Sequence, residues 1–127
     1  MLSHLASFSG FSVDNTEAAL DFYTSKLGLD ATHDPDMGIQ LKFPTGQNVF
    51  IYQKDNHEPA TYTVLNFIVP DIDAAIEELK AAGISMEHYD MPGMATDEKG
   101  VVRGGDGPKA IAWFKDPAGN ILSVIQE

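Results

Sequence analysis

The sequence predicts an α+β fold made of two tandem β-α-β-β-β modules. The first observation behind this is an internal repeat: aligning Val13 with Val69 gives an offset of 56 residues, at which Ala18 and Ala19 match Ala74 and Ala75. The second is a change of apolar spacing, from strand-like runs to a helical period and back, within each copy. The two copies predict modules of about 1–55 and 61–127 within a single domain of 127 residues.

The first module opens with a strand-like run at 8–13. Asn15 follows and can cap a helix by accepting its free N–H groups. Gly28 then supplies the left-handed residue that ends a helix. The apolar positions at helical spacing are Leu20, Tyr23 and Leu27.

The second module repeats these signals from a β-rich run at 62–69. Asp71 is the capping residue and Gly83 the terminating glycine. The helical apolar positions are Ile72, Ile76 and Leu79.

Three strand-like runs follow each predicted helix. In the first module they are "LDATH", "GIQLKF" and "NVFIYQ", the last two joined as a hairpin around 44–46. In the second they are "SMEHYD", "AIAWFK" and "ILSVIQ", the last two joined by the turn 116–120. The polar stretch "KDNHEPAT" reads as the linker between modules.

Composition excludes several classes of function. The net charge of −11 argues against nucleic-acid binding, which requires a basic patch. No apolar run approaches the roughly 18 residues that a membrane span needs, and the first residues lack the pattern of a secretory signal. The absence of cysteine removes disulfides and thiolate chemistry and favours a cytoplasmic protein.

Three segments, 18–29, 68–84 and 112–126, resemble the vicinal oxygen chelate superfamily of glyoxalase I, bleomycin-resistance proteins and extradiol dioxygenases. The resemblance implies that each module curls its sheet around a cavity, with the helix outside. It also implies four metal ligands on the concave faces, two per module, and a homodimer.

Matched to this family pattern, the four ligand positions fall on Phe8, Phe50, Val64 and Ser123. Relatives carry His, Gln or Glu there, and Glu is usual where Ser123 stands. Two phenyl rings, an isopropyl group and a hydroxyl are poor ligands for a divalent ion, so we expect no metal and no other cofactor. The four histidines are scattered, and we interpret them as surface residues, which leaves no catalytic residue predicted.

Side chains alternate along a strand, so every second residue is expected to face the helix and the residues between them are expected to face the cavity. This alternation places Trp113 opposite Ser123 on the cavity side. The long loop at 89–109 is either a lid over the cavity or a solvated loop, and its Arg103 is a candidate anion partner. The predicted ligand-binding residues are Phe8, Ser12, Gln40, Lys42, Phe50, Tyr52, Val64, Asn66, Met91, Met94, Arg103, Trp113 and Ser123.

Three functions stay open at this point. The first is a metal-free protein that binds an aromatic or cationic small molecule, with sequestration of a drug or metabolite as one such role. The second is a glyoxalase- or dioxygenase-like metalloenzyme with non-standard ligands. The third is an interaction module whose cavity is filled by its own side chains.

Overall fold

The computed structural model describes residues 1–104 and 107–127. The chain forms two compact units, Met1–Glu58 (unit 1) and Pro59–Glu127 (unit 2). In the described residues, no helix has the length and apolar character needed to cross a membrane.

Unit 1 is a four-stranded mixed sheet with one helical segment. Strand order is β1-β4-β3-β2; β1 and β4 are parallel and the other pairs antiparallel. A 3₁₀ turn, Leu2–His4, precedes the sheet, and helix α1 continues into a π-helical turn at Phe22–Lys26. The elements are β1 (Ser9–Val13), α1 (Thr16–Asp21), β2 (Asp30–Asp34), β3 (Gly38–Lys42) and β4 (Asn48–Gln53).

Unit 2 repeats this topology. Its main sheet has the order β5-β10-β9-β8, again with one parallel pair, between β5 and β10. A small hairpin, β6 with β7, precedes β8. The elements are β5 (Thr63–Ile68), α2 (Ile72–Ala81), β6 (Asp90–Met91), β7 (Met94–Ala95), β8 (Val101–Arg103), β9 (Ala110–Lys115) and β10 (Ile121–Gln126).

Both helices begin at the predicted capping residues. The Asn15 side chain accepts a hydrogen bond from the Ala18 N–H at 3.0 Å. Asp71 accepts from the N–H groups of Asp73 and Ala74. Each cap satisfies backbone donors that lack a partner within the helix, so the β-α junction of both modules is confirmed.

The alternate strand residues that were predicted to face the helix are buried. In unit 1, Phe11, Val13, Ile39, Leu41, Val49 and Ile51 are buried. In unit 2, Leu65, Leu122 and Val124 are buried together with Ile72 and Ile76 of α2. The opposite parity is therefore the face left for other roles.

One predicted strand was wrong. The run 85–90 does not form the outer strand of the second sheet. Among the described residues, its pairing with that sheet is limited to the isolated bridge from Met86 to Phe114, and Asp90 pairs with Ala95 in the β6–β7 hairpin. Val101–Arg103 pairs with β9 instead. The edge position is thus filled by part of the segment at 89–109, which is not a simple loop. Residues 105 and 106 of that segment lie outside the described part of the chain.

Gly38 is required by the close approach of β3 and β4. Its φ is +143°, and a Cβ at this position would lie 2.3 Å from the Ile51 carbonyl oxygen and 3.1 Å from the Phe50 ring. No real side chain fits that space. The glycine therefore lets β3 begin directly beneath the Phe50 ring.

Candidate functional site

Unit 1 presents a cluster of aromatic rings on the face away from α1. Phe50 and Tyr52 alternate along β4 and stack, with ring centroids 6.1 Å apart and planes 17° apart. Phe8, immediately before β1, meets Phe50 edge-on at 6.2 Å and is 71% exposed. We call this surface, with Ser12, the Phe50 face.

Ser12 and His57 form a polar pair on the Phe50 face. Ser12 Oγ lies 2.7 Å from His57 Nδ1, and both side chains are partly buried. Ser12 is in parallel register with Tyr52, so the pair lies beside the aromatic cluster. This contradicts the interpretation of His57 as a histidine on the surface of a linker.

Gln40 and Lys42 lie on β3, on the same side of the sheet. Gln40 is the register partner of Phe50 and is half-buried, whereas Lys42 pairs with Asn48 and is exposed. Gln40 therefore borders the aromatic rings directly, and Lys42 lies one row further along the strand.

In unit 2, a second surface is formed by Asn66 and Trp113, with Ser123 buried between them, and we call it the Trp113 face. Ser123 is in register with Asn66 on one side and Trp113 on the other, the second of these as the sequence predicted. Its hydroxyl donates to Asn66 Oδ1 at 2.5 Å. Ser123 itself is fully buried, while Asn66 is exposed.

An aromatic pair borders the Trp113 face. Tyr89 meets the indole of Trp113 edge-on, with centroids 5.5 Å apart. Burial, and then the nearby Glu87 carboxylate, raise the pKa of the Tyr89 phenol. Val64 is half-buried at the point in β5 where the pairing with β10 shifts by one residue.

The predicted binding residues of the 89–109 segment lie in two places. Met91 and Met94 pair across the β6–β7 hairpin, Met91 half exposed. Arg103 donates to Asp73 at 2.8 Å and lies 3.5 Å from Asp97. An anionic ligand would therefore compete with two carboxylates for this guanidinium.

The ion pairs of Arg103 with Asp73 and Asp97 shift the pKa values of all three groups. The hydrogen bond from Arg103 holds the pKa of Asp73 below its ordinary value. The same bond raises the pKa of Arg103. At Asp97, burial acts to raise the pKa, but hydrogen bonds from the Val101 and Lys99 amides and the charge of Arg103 lower it overall. These are signs of a structural ion-pair network beside α2.

The residues at the four family ligand positions do not fit a metal ion. Phe8, Phe50 and Val64 have no donor atom, and Ser123 uses its hydroxyl proton on Asn66. Over residues 1–104 and 107–127, no three His, Asp or Glu side chains are grouped closely enough to hold a metal. The donor set on this chain therefore supports no step through a metal at these positions.

Two grooves lie elsewhere on the units. One in unit 1, of about 460 Å³, is bordered by Asp14, Glu17, His33, Asp36 and Met37. One in unit 2, of about 470 Å³, is bordered by Lys80, Met86, His88, Glu98 and Lys99. None of the predicted ligand-binding residues lines either groove.

His57 and Tyr89 are the two site neighbours that the sequence analysis missed. His57 lies in the predicted linker, and Tyr89 lies in the run 85–90, which was predicted as a strand but does not form the edge of the sheet. A signal for His57 does exist: "KDNH" directly after β4 contains turn-forming Asp and Asn, which can bend the chain back onto the sheet.

The repeated β-α-β-β-β units with an open, polar–aromatic face define the class of protein. A sequence profile of the Glyoxalase/Bleomycin resistance protein/Dioxygenase superfamily matches residues 2–124. The chain belongs to this superfamily. Among curated proteins no match was found.

Solved structures agree with this assignment. A member of the superfamily from Sphaerobacter thermophilus is 25% identical, with a TM-score of 0.70, and the alignment covers 98% of this chain and 99% of that one. An antibiotic binding protein from a Streptomyces species is 22% identical, with a TM-score of 0.66 and 96% of both chains covered. Lactoylglutathione lyase from Agrobacterium tumefaciens is 20% identical, with a TM-score of 0.68, covering 96% of this chain and 92% of that one.

Proposed function

We propose that this protein binds an organic small molecule through its aromatic faces, without metal chemistry, and sequesters it. The observation that carries the proposal is the Ser123–Asn66 hydrogen bond. It occupies a family metal-ligand position with a pair of neutral groups that satisfy each other. The aromatic rings nearby offer stacking surface instead of metal ligands.

The composition of both faces supports binding. Each combines aromatic rings with a small number of hydrogen-bonding groups: Ser12, His57 and Gln40 in unit 1, and Asn66 and Ser123 in unit 2. Apolar walls with sparse polar groups are typical of small-molecule sites. The ligand-binding set named from the sequence remains our proposal for the contact residues.

A drug or a metabolite with aromatic rings is the ligand class we favour. The antibiotic binding protein among the structural neighbours supports a drug as the ligand. The net charge of −11 works against an anionic ligand and leaves neutral and cationic ligands open. Bleomycin is both aromatic and cationic and is therefore the first compound to test.

We also propose that the protein is cytoplasmic and works as a homodimer. The lack of cysteine supports the first proposal, and membership of the superfamily supports the second. Light scattering coupled to size-exclusion chromatography at micromolar concentration measures the assembly directly. A mass of twice 13.8 kDa is expected, and a monomer at all concentrations would contradict the dimer.

The test of binding uses Trp113, the single tryptophan, as the probe. Its fluorescence is followed while the protein is titrated with bleomycin and with a panel of small aromatic compounds, cationic, neutral and anionic. A saturable change at a fixed stoichiometry is the expected result. A flat response to the whole panel, with calorimetry also flat, would overturn the proposal and favour an interaction module.

A further inference from the structure

The turn after β4 returns the chain to the Phe50 face. The Lys54 N–H donates to the Val13 carbonyl at 3.0 Å, which extends the β1–β4 pairing by one step. The His57 N–H then donates to the Lys54 carbonyl at 3.1 Å, closing a four-residue turn. This turn delivers the imidazole to Ser12 Oγ, 2.7 Å from Nδ1. Two independent backbone bonds therefore fix the position of His57.

The surface beside this pair suits a flat ring. Tyr52 is in register with Ser12, and its ring stacks on that of Phe50. Gly10, the register partner of Phe50, adds no side chain on β1 between Phe8 and Ser12. A planar ligand placed against Phe50 over Gly10 would therefore have its edge directed at Ser12 and His57.

The central row of this face carries no charge. Gly10, Phe50, Gln40 and Thr32 are successive register partners from β1 to β2, and all are neutral. Lys42 and Asp30, which are charged, pair in the row beyond. An uncharged polar group on the ligand is thus better matched to the central row than an ionic one, because burying an unpaired charge is costly.

We infer that the Phe50 face takes a planar aromatic ligand with an uncharged hydroxyl or carbonyl group at its edge, and that the Ser12–His57 pair is its hydrogen-bonding partner. A serine hydroxyl offers one donor and two acceptor sites, so it can take part in several hydrogen bonds at once, with a ligand among its partners. His57 is the residue that sets the specificity, since it orients that hydroxyl. This inference rests on the proposed small-molecule function and names its ligand class.

The test compares three compounds of one shape on the full chain: 1-naphthol, naphthalene and the cation of 1-naphthylmethylamine. Calorimetry is expected to show 1-naphthol binding about fivefold more tightly than naphthalene, the value of one added neutral hydrogen bond. The cation should bind more weakly than 1-naphthol. Equal affinity of the cation and 1-naphthol would overturn the preference for an uncharged group.

Variants separate a specificity role from a structural one. Ser12→Ala and His57→Phe should each reduce the preference for 1-naphthol over naphthalene to about onefold, while Ser12→Thr, which keeps the hydroxyl, should retain it. Ser9→Ala, on the opposite parity of the same strand, and His33→Phe, on β2 with its side chain toward the other face, are the matched controls and should retain it. Circular dichroism checks that each variant is folded. If His57→Phe is not folded, the comparison of Ser12→Ala with Ser12→Thr still tests the role of the hydroxyl.

The outcomes distinguish the two proposals. If no naphthalene compound binds and the Trp113 panel is also flat, small-molecule binding fails and this inference fails with it. If 1-naphthol and naphthalene bind the wild-type chain equally, or if folded His57→Phe and Ser12→Ala keep the preference, the inference is overturned while small-molecule binding stands.

Discussion

Ser123 and Asn66 lie side by side on β10 and β5, and the serine hydroxyl donates to the amide oxygen at 2.5 Å. The two residues differ in environment, since Ser123 is fully buried and Asn66 is exposed. The bond therefore satisfies a buried donor with an acceptor that also reaches water. A carboxylate in place of Ser123 would be a buried charge facing an amide oxygen, which cannot donate a hydrogen bond to it.

This difference in burial predicts unequal costs for the two truncations. Asn66→Ala removes the acceptor from a buried hydroxyl and should lower the free energy of unfolding by about 1–2 kcal/mol. Ser123→Ala leaves an amide that water can solvate and should cost less, about 0.5–1 kcal/mol. Urea denaturation measures both. Asn56→Ala, which removes an exposed amide in a turn, is the control and should change stability by less than about 0.5 kcal/mol. The reverse order for the first two variants would contradict the role given to this bond.

Restoring the family glutamate should not restore a metal site. Ser123→Glu places one carboxylate on the chain, but Phe8, Phe50 and Val64 still contribute no donor. Calorimetric titration with Ni²⁺ or Zn²⁺ should show no tight stoichiometric binding. The variant should also be less stable by several kcal/mol, because the new charge is buried. Ser123→Gln, similar in size and neutral, isolates the charge component. Tight binding of one ion per chain to Ser123→Glu would show that other side chains of the protein complete a metal site.

The sequence predicted the parts of the fold that depend on local pattern. The caps Asn15 and Asp71 follow from residue type at a strand-helix junction, and the Trp113–Ser123 register follows from counting across a short turn. Alternation also separated the buried parity of each strand from the face that carries Ser12. These signals are short-range, so one sequence contains them.

The remaining features depend on contacts between segments that are far apart in the sequence. The run 85–90 and the three residues Val101–Arg103 compete for one sheet edge, and propensity favoured the longer run although the shorter one pairs with β9. His57 reaches Ser12 across 45 positions only because a turn closes after β4. Arg103 finds Asp73 in the same way, 30 positions away. The spacing of residues along the sequence does not predict contacts of this kind.

Trp113 should matter more to ligand binding than Lys42. Trp113→Ala removes the indole that contacts Tyr89 and should weaken the best ligand of the fluorescence panel by about tenfold or more. Lys42 is exposed and lies one row away from Phe50, so Lys42→Ala should change the affinity by less than about threefold. Calorimetry is the measurement, because the first variant lacks the fluorophore. Trp113→Phe keeps an aromatic ring, so its affinity for the ligand should lie between those of Trp113→Ala and Lys42→Ala. Equal affinities for the two alanine variants would argue against the Trp113 face.

The ion pair between Arg103 and Asp73 predicts a pH-dependent contribution to stability. The hydrogen bond from Arg103 holds the pKa of Asp73 below its ordinary value of 3.8. A lowered folded-state pKa contributes stability that is fully present above the unfolded value and is lost as the pH falls through the folded value. The stability difference between wild type and Arg103→Ala should therefore be largest above about pH 5. It should shrink steadily below pH 3.8.

Urea denaturation of both proteins from pH 7 to pH 2.5 measures this difference. Any cation removed from a chain of net charge −11 increases repulsion among its carboxylates, so a control is essential. Lys54→Ala removes an exposed cation from a turn in unit 1 and reports that general effect. The excess loss in Arg103→Ala over Lys54→Ala should disappear at low pH and decrease in 0.5 M salt, because Arg103 and Asp73 are both about half exposed. An excess that is constant from pH 7 to pH 2.5 would show that Arg103 stabilises the protein by packing rather than by its charge.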